Sequence, residues 1–184
     1  MLTLLSALSV ILSFATPASA SPTGGNAACA VNVSAGADHA TTCFSTFAAA
    51  VSYATGGRVQ LANAADSRLV NADELDQAAP AAPDAPLTNY VLSIVYKGTN
   101  YSSTSLTYYG SSPCGSFNAS VLTNGWNDAI QSIVNYSGCA ATLYWNGGFG
   151  QPVYNTGVDA SVPTLGSFNK QTSAIKWCPY FGCT

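Results

Sequence analysis

The second half of this 184-residue chain contains one sequence pattern twice. Tyr96 opens the first copy and Tyr144 the second, and each is followed five positions later by another aromatic residue. Polar heptads follow at 127–133 and 169–175, both beginning with Asn and ending with Ile. The aromatic pairs lie 48 positions apart and the heptads 42, so the first copy is six residues longer. Two copies of one unit predict a duplicated module in which the copies bury each other's faces.

Short segments of alternating polarity run through both copies. They cover 90–96, 103–109 and 129–136 in the first copy, and 141–145, 152–154 and 172–177 in the second. Clusters of Gly, Asn and Ser separate them at the spacing of hairpins. Tyr, Trp, Val and Thr suit a pleated, half-buried surface. The pattern predicts an all-β sandwich, which favours a binding or structural role over an enzyme.

Three segments precede the repeats. Residues 1–20 are apolar and end in Ala18-Ser19-Ala20, which is typical of a cleaved signal peptide and predicts a secreted, extracellular protein. Residues 21–69 form a small N-terminal unit or a pro-segment, and residues 70–88 are an acidic linker rich in Ala and Pro. The repeat domain then spans 89–184, with its copies at 89–137 and 139–178. The N-terminal unit either packs on the repeat domain or is removed on maturation.

The N-terminal unit carries signals for one helix and one strand. Apolar residues recur at helical spacing within 42–55, with a Thr before them and Gly56-Gly57 after them. Residues 58–62 then alternate like a short strand. A segment of this size cannot build a core of its own.

Six cysteines remain after the predicted signal peptide, an even number that fits an oxidising compartment. Fifteen pairings are open, and pairing of neighbours along the chain is the favoured one. A bond between Cys139 and Cys178, which would join the two ends of the second copy, is the alternative. The neighbouring pairs are Cys29–Cys43, Cys114–Cys139 and Cys178–Cys183.

The charge of the chain limits its partners. Only 7% of the residues are charged and the net charge is −3, which argues against nucleic acid, since that ligand demands clustered Lys and Arg. Gly, Asn and Ser interrupt every apolar run after the signal peptide, so we expect no membrane contact and a monomer. Asp128 and Asp159 are the only carboxylates after position 86, and no other catalytic motif accompanies them. We therefore expect no enzyme activity.

The repeated motif resembles a known family. An aromatic residue, four residues, a second aromatic residue, and then Asn/Asp-Asn/Asp-x-x-Ser/Thr-Ser-Ile is similar to the Greek-key motif of the βγ-crystallins. The resemblance covers residues 89 to about 178. It implies two Greek keys of four strands each that exchange a strand to give two packed sheets. It also implies calcium binding at the two polar heptads, 127–133 and 169–175, which form arches between strands in this family. A hydroxyl from one arch completes the site begun by the other.

The motif residues decide how far the implied calcium sites apply. When the hydroxyl comes from the opposite arch in this way, the crosswise set of ligands for the first site is Asn127, Asp128, the Ala129 carbonyl and Ser173. Calcium prefers such oxygen ligands, and a single carboxylate predicts weak affinity, about 10⁻⁴ to 10⁻³ M. In the alternative interpretation Asn127, Asp128, Asn169 and Ser173 only close their own turns through bonds to the backbone.

The second implied site departs from the motif. Its residues would be Asn169, Lys170, Gln171 and Gln131. Lys170 places an ammonium where the cation needs an anion, and Gln131 replaces the expected hydroxyl. We therefore expect this second site to be inactive.

The superfamily also includes secreted metalloprotease inhibitors and killer-toxin-like proteins, so the resemblance implies an alternative function. An effector of this kind acts on an extracellular protease or a cell-surface target through a rigid exposed loop. The extra residues of the first copy offer such a loop, in which a proline and a cysteine restrict the backbone. The candidate loop residues are Ser112, Pro113, Cys114 and Gly115.

Overall fold

The computed structural model describes residues 27–61, 70, 75, 89–114, 117–119, 122 and 124–183. The predicted signal peptide and almost all of the predicted linker lie outside these residues, as does Gly115 of the candidate loop.

The described residues form ten strands, one α-helix and one short 3₁₀ turn. The N-terminal unit contributes β1 (Ala28–Asn32), β2 (Thr41–Phe44) and α1 (Phe47–Ala54). The first copy contributes β3 (Tyr90–Tyr96), β4 (Ser105–Gly110), β5 (Phe117–Ala119) and β6 (Ser132–Asn135). The second copy contributes β7 (Ala140–Tyr144), β8 (Val153–Asn155), β9 (Ser161–Val162), the 3₁₀ turn (Gly166–Phe168) and β10 (Ala174–Cys178).

The strands form two sheets, and each copy gives one strand to the other's sheet. The first sheet has the order β2-β1-β4-β3-β6-β9, and the second has the order β5-β10-β7-β8. Strand β5 of the first copy therefore lies in the second sheet, and β9 of the second copy lies in the first. The predicted all-β sandwich of two Greek keys with an exchanged strand is confirmed.

The core lies between the two sheets. Leu92, Ile133, Leu143 and Ile175 come from the central strands of both copies and are fully buried. Trp177 joins them, and its indole N–H donates to Ser93 Oγ at 3.0 Å, so the buried donor is satisfied. Apolar residues on alternate strand positions thus meet in a single layer, as the periodicity requires.

The N-terminal unit extends the first sheet. Strand β1 pairs with β4 in parallel and with β2 in an antiparallel hairpin, and α1 packs against β1 and β4. Thr46 caps the helix, because its Oγ1 accepts a hydrogen bond from the Ala49 N–H at 3.2 Å. The helix is shorter than the predicted segment 42–55, whose first residues form β2 instead.

The predicted strand at 58–62 is wrong for residues 58–61, which form no strand. The local reason is that the turn after the helix uses their hydrogen-bonding groups. The Val59 N–H donates to Thr55 Oγ1 at 3.2 Å, and the Arg58 N–H donates to the Thr55 carbonyl at 3.4 Å. Alternation in this segment reflects burial of Val59 against the sheet and not strand pairing.

Three disulfides connect the cysteines as neighbours along the chain. Cys29 and Cys43 stand opposite each other on β1 and β2, while Cys114 bonds Cys139 and Cys178 bonds Cys183. This is the favoured pairing, and the alternative bond between Cys139 and Cys178 does not form. Three disulfides fit an oxidising environment. Within the described residues, no helix has the length and apolar character to cross a bilayer.

Candidate metal centre

The two polar arches pair with each other across a pseudo-twofold axis. The Asp128 N–H donates to the Thr172 carbonyl, and the Lys170 N–H donates to the Ile130 carbonyl, both at 2.9 Å. Asp128 and Lys170 both adopt positive φ, 54° and 58°. The same backbone exchange therefore occurs twice, at positions 42 residues apart, and it explains why the heptads repeat.

A second pair of hydrogen bonds ties each arch to the end of a strand in its own copy. The Gln131 N–H donates to the Tyr96 carbonyl at 2.9 Å, and the Ser173 N–H donates to the Tyr144 carbonyl at 2.8 Å. Tyr96 and Tyr144 are the aromatic residues that open the two copies. In each copy the arch and the opening aromatic residue are thus parts of one local structure.

The first arch brings a carboxylate and a hydroxyl together across the two copies. Ser173 Oγ donates to Asp128 Oδ1 at 3.3 Å, and Asn127 Nδ2 donates to Asp128 Oδ2 at 2.8 Å. Asn127 and Asp128 are exposed and Ser173 is half-buried. Ala129 follows in the same turn, where its N–H donates to the Trp126 carbonyl at 3.2 Å. Three members of the crosswise set, Asn127, Asp128 and Ser173, are therefore connected by hydrogen bonds.

The second arch uses its polar groups to close turns. Asn169 Oδ1 accepts from the Leu165 N–H at 3.1 Å, and Asn169 Nδ2 donates to Thr164 Oγ1 at 3.2 Å. The Gln171 N–H donates to the Phe168 carbonyl at 3.2 Å. These contacts match the alternative interpretation, in which the side chains of this arch serve the backbone.

The remaining members of the second set do not offer an anionic site. The Gln131 amide donates through Nε2 to the Lys97 carbonyl. Lys170 is exposed and carries a positive charge. The described residues hold no group of three or more His, Cys, Asp or Glu side chains that could bind a metal. A cation at either arch would depend on carbonyl and hydroxyl oxygens for most of its ligands.

Lys97 packs beside the first arch although the sequence patterns do not mark it. The Lys97 ammonium lies 4.9 Å from the centre of the Trp126 ring, beneath the first arch. At the equivalent place in the second copy, Trp145 contacts Phe168 at 5.7 Å between ring centres. Lys97 and Trp145 are 48 positions apart, the same spacing as the aromatic residues that open the two copies, so the repeat itself could have identified them as equivalent.

The candidate target loop lies beside the second disulfide. Ser111 N–H donates to Ser34 Oγ at 2.9 Å, and Cys114 N–H donates to the Ser137 carbonyl at 3.1 Å. Pro113 is exposed between these two anchors. The described residues of the loop, 111–114, are thus held at both ends.

No protein-family model matches this chain, and no curated protein matches it. Solved structures do. A βγ-crystallin domain from Clostridium beijerinckii is 19% identical, covering 48% of this chain and 98% of its own, with a TM-score of 0.38. A βγ-crystallin from Ciona intestinalis is 23% identical over 46% of this chain and 95% of its own, with a TM-score of 0.37. An archaeal βγ-crystallin is 19% identical over 47% of this chain and 95% of its own, with a TM-score of 0.36.

These matches belong to the family that the sequence motif resembles, and they extend over about half of the chain. The interlocked Greek keys are established by the strand order described above. The chemistry of the arches depends on the residues of this chain alone.

Proposed function

We propose that this protein is a secreted, non-enzymatic β-sandwich module that binds one calcium ion weakly at the first arch. The observation that carries the proposal is the contact between Ser173 Oγ and Asp128 Oδ1 at 3.3 Å. These two oxygens come from different copies, so an ion bound between them would hold the two Greek keys together.

The chemistry of the first arch suits a hard cation. A carboxylate, a hydroxyl and a nearby backbone carbonyl are oxygen ligands of the kind that calcium prefers, and water completes its six to eight ligands. Asp128 would supply the only negative charge and Ser173 the hydroxyl. Because one carboxylate neutralises half of the ion's charge, we expect a dissociation constant of about 10⁻³ M.

Calcium should stabilise the folded protein, because the arches meet only in the folded state. At ten times its dissociation constant, a ligand adds about 1.4 kcal/mol to the free energy of unfolding. We expect about 10 mM calcium to raise the melting temperature by several degrees, and magnesium to have a smaller effect. Thermal melts followed by circular dichroism across a calcium titration measure this shift.

Two carboxylate variants with the same charge change separate binding from general electrostatics. Asp128→Asn should abolish the calcium-dependent shift. Asp159→Asn should keep it, since Asp159 bonds the Gly138 N–H at 2.8 Å and lies outside the arches. Equal shifts in both variants, or none in the unmodified protein at 10 mM calcium, would favour the alternative in which the arch side chains only close their turns.

The anchored loop favours a second candidate function, inhibition of an extracellular protease. Loop residues held at both ends lose little entropy when they bind, which is what an inhibitory loop requires. Pro113→Gly should weaken inhibition of a susceptible protease by about tenfold, since it loosens the loop, whereas Pro179→Gly serves as the matched control. A panel of secreted metalloproteases and serine proteases measures the activity. Unchanged potency in Pro113→Gly, or no inhibition across the panel, would rule out this loop.

A further inference from the structure

The inner faces of the two sheets match each other across the pseudo-twofold axis. On the central strands of the first copy, Val95 stands opposite Ile133, and the equivalent pair in the second copy is Leu143 and Ile175. All four side chains are apolar and belong to the core between the sheets. Both copies therefore present apolar side chains on the inner face of their sheet.

The outer faces do not match. At the adjacent positions of the same strands, Ile94 stands opposite Val134 in the first sheet, and Thr142 stands opposite Lys176 in the second. Ile94 and Val134 are 0% and 3% exposed. The outer face of the second sheet is polar: Thr142 is buried and its Oγ1 accepts from the Cys183 N–H at 3.0 Å, and Lys176 is half-buried. A sheet that leaves one face in water carries polar residues on that face, and the first sheet does not. The apolar outer face of the first sheet is therefore built to be covered.

The cover is the N-terminal segment, by which we mean the described residues 27–61, 70 and 75. Its buried apolar residues form one cluster with the outer face of the first sheet, which includes Ile94, Val134 and Tyr136. The buried residues of the segment in this cluster are Ala30, Val51, Ala54, Val59, Val70 and Leu75.

Polar contacts orient the segment on the sheet. Strand β1 adds to the edge of β4 in parallel register, and the Val33 N–H continues this pairing by donating to the Tyr109 carbonyl at 2.9 Å. The Tyr136 hydroxyl donates to the Val70 carbonyl at 3.2 Å. The binding surface thus combines a sheet edge, which pairs with a strand, and an apolar face, which packs against a helix and the chain after it.

No disulfide joins the N-terminal segment to the repeat domain. Cys29 bonds Cys43 within the segment, and the other two bonds lie within the repeat domain, so all six cysteines are used. The only covalent connection is the chain between positions 75 and 89. The contacts described above are all non-covalent.

We propose that the outer face of the first sheet is a polypeptide-binding surface whose ligand is the N-terminal segment, and that the two stay bound when the connecting chain is cut. The sequence leaves open whether this segment packs on the repeat domain or is removed on maturation. If the two stay bound, cleavage of the connecting chain alone does not remove the segment. The surface recognises a strand followed by an amphipathic helix with small and β-branched apolar residues. This proposal is independent of calcium binding.

The test uses the full chain with residues 78–83 replaced by the recognition sequence of a specific protease. After cleavage, gel filtration at neutral pH should show both pieces eluting together in equal amounts, and urea should separate them. Two pieces that elute separately in native buffer would overturn the proposal.

A matched pair of variants in the cleavable protein tests the surface itself. Val59→Ser removes a buried contact of the segment and leaves the sheet unaltered, so release of the segment on dilution should be about tenfold faster. Val158→Ser alters a residue that is 45% exposed and outside the contact, and should leave the release rate unchanged. Equal release rates for the two variants would contradict the proposed surface.

Discussion

At the scale of single residues, the arches are set by backbone geometry as much as by side-chain chemistry. Asp128 and Lys170 both have positive φ, a conformation that costs most residues about 1–2 kcal/mol. Asp tolerates this region better than Lys does, because its short side chain can form local hydrogen bonds. The first arch has therefore kept a residue suited to the turn and to a cation, whereas the second has kept neither property.

Lys170→Gly should stabilise the protein. Relief of the left-handed conformation outweighs the greater freedom of glycine in the unfolded chain, which leaves a gain of about 0.5–1 kcal/mol. The midpoint of urea unfolding measures it. Lys176→Gly is the control, because Lys176 lies within β10 and a strand glycine lowers stability. A lower midpoint for Lys170→Gly would show that the side chain, and not the backbone, determines the arch.

At the scale of elements, the strands that alternate clearly are those that the sequence predicts. Strands β3 and β6 lie within the predicted segments, and β7 and β10 each extend one residue beyond theirs. Each of the four has one face in the core between the sheets, so its period shows in the sequence. The exchanged strands β5 and β9 have only three and two residues, too few for a period to show. Strands β1 and β2 also escaped prediction: β1 pairs with β4, which is far away in the sequence, and the residues of β2 fall largely in the segment 42–55 that was predicted as a helix.

The short helix depends on its cap. Thr46→Ala removes the acceptor for the Ala49 N–H and should lower the free energy of unfolding by about 1 kcal/mol. Ser45→Ala changes an exposed neighbour and serves as the control. Urea unfolding of both variants provides the measurement. A Thr46→Ala midpoint equal to that of Ser45→Ala would show that packing against β1 and β4 holds the helix without the cap.

At the scale of the whole molecule, tyrosines buried on both faces of the first sheet link its integrity to pH. Burial raises the pKa of Tyr96, Tyr108 and Tyr136 well above the ordinary value. Burial, and then the nearby Tyr53, raises the pKa of Tyr109 to about 12. The folded state holds these phenolic protons more tightly than the unfolded state does.

Stability should therefore fall in alkali. The contribution of Tyr109 is fully present below pH 10, where the unfolded chain is still protonated, and is lost as the pH rises through about 12. We expect the urea midpoint to be constant up to about pH 10 and to decrease above it, together with the appearance of tyrosinate absorbance. Tyr109→Phe should flatten part of this decrease, and Tyr180→Phe, on an exposed ring, is the control. Identical alkaline profiles for the two variants would contradict this assignment.

The sequence by itself determined the duplication, the strands with one buried face, and the residues of the arches, whereas the choice among fifteen disulfide pairings came from the structure. Local periodicity reports whether a residue is buried, and it carries no information about which distant segment does the burying. Only the tertiary structure placed Ser173 beside Asp128, turned Gln131 toward Lys97, and laid β1 along β4. It also decided that Ile94 and Val134 face the N-terminal segment, because these contacts join parts of the chain that are far apart in sequence.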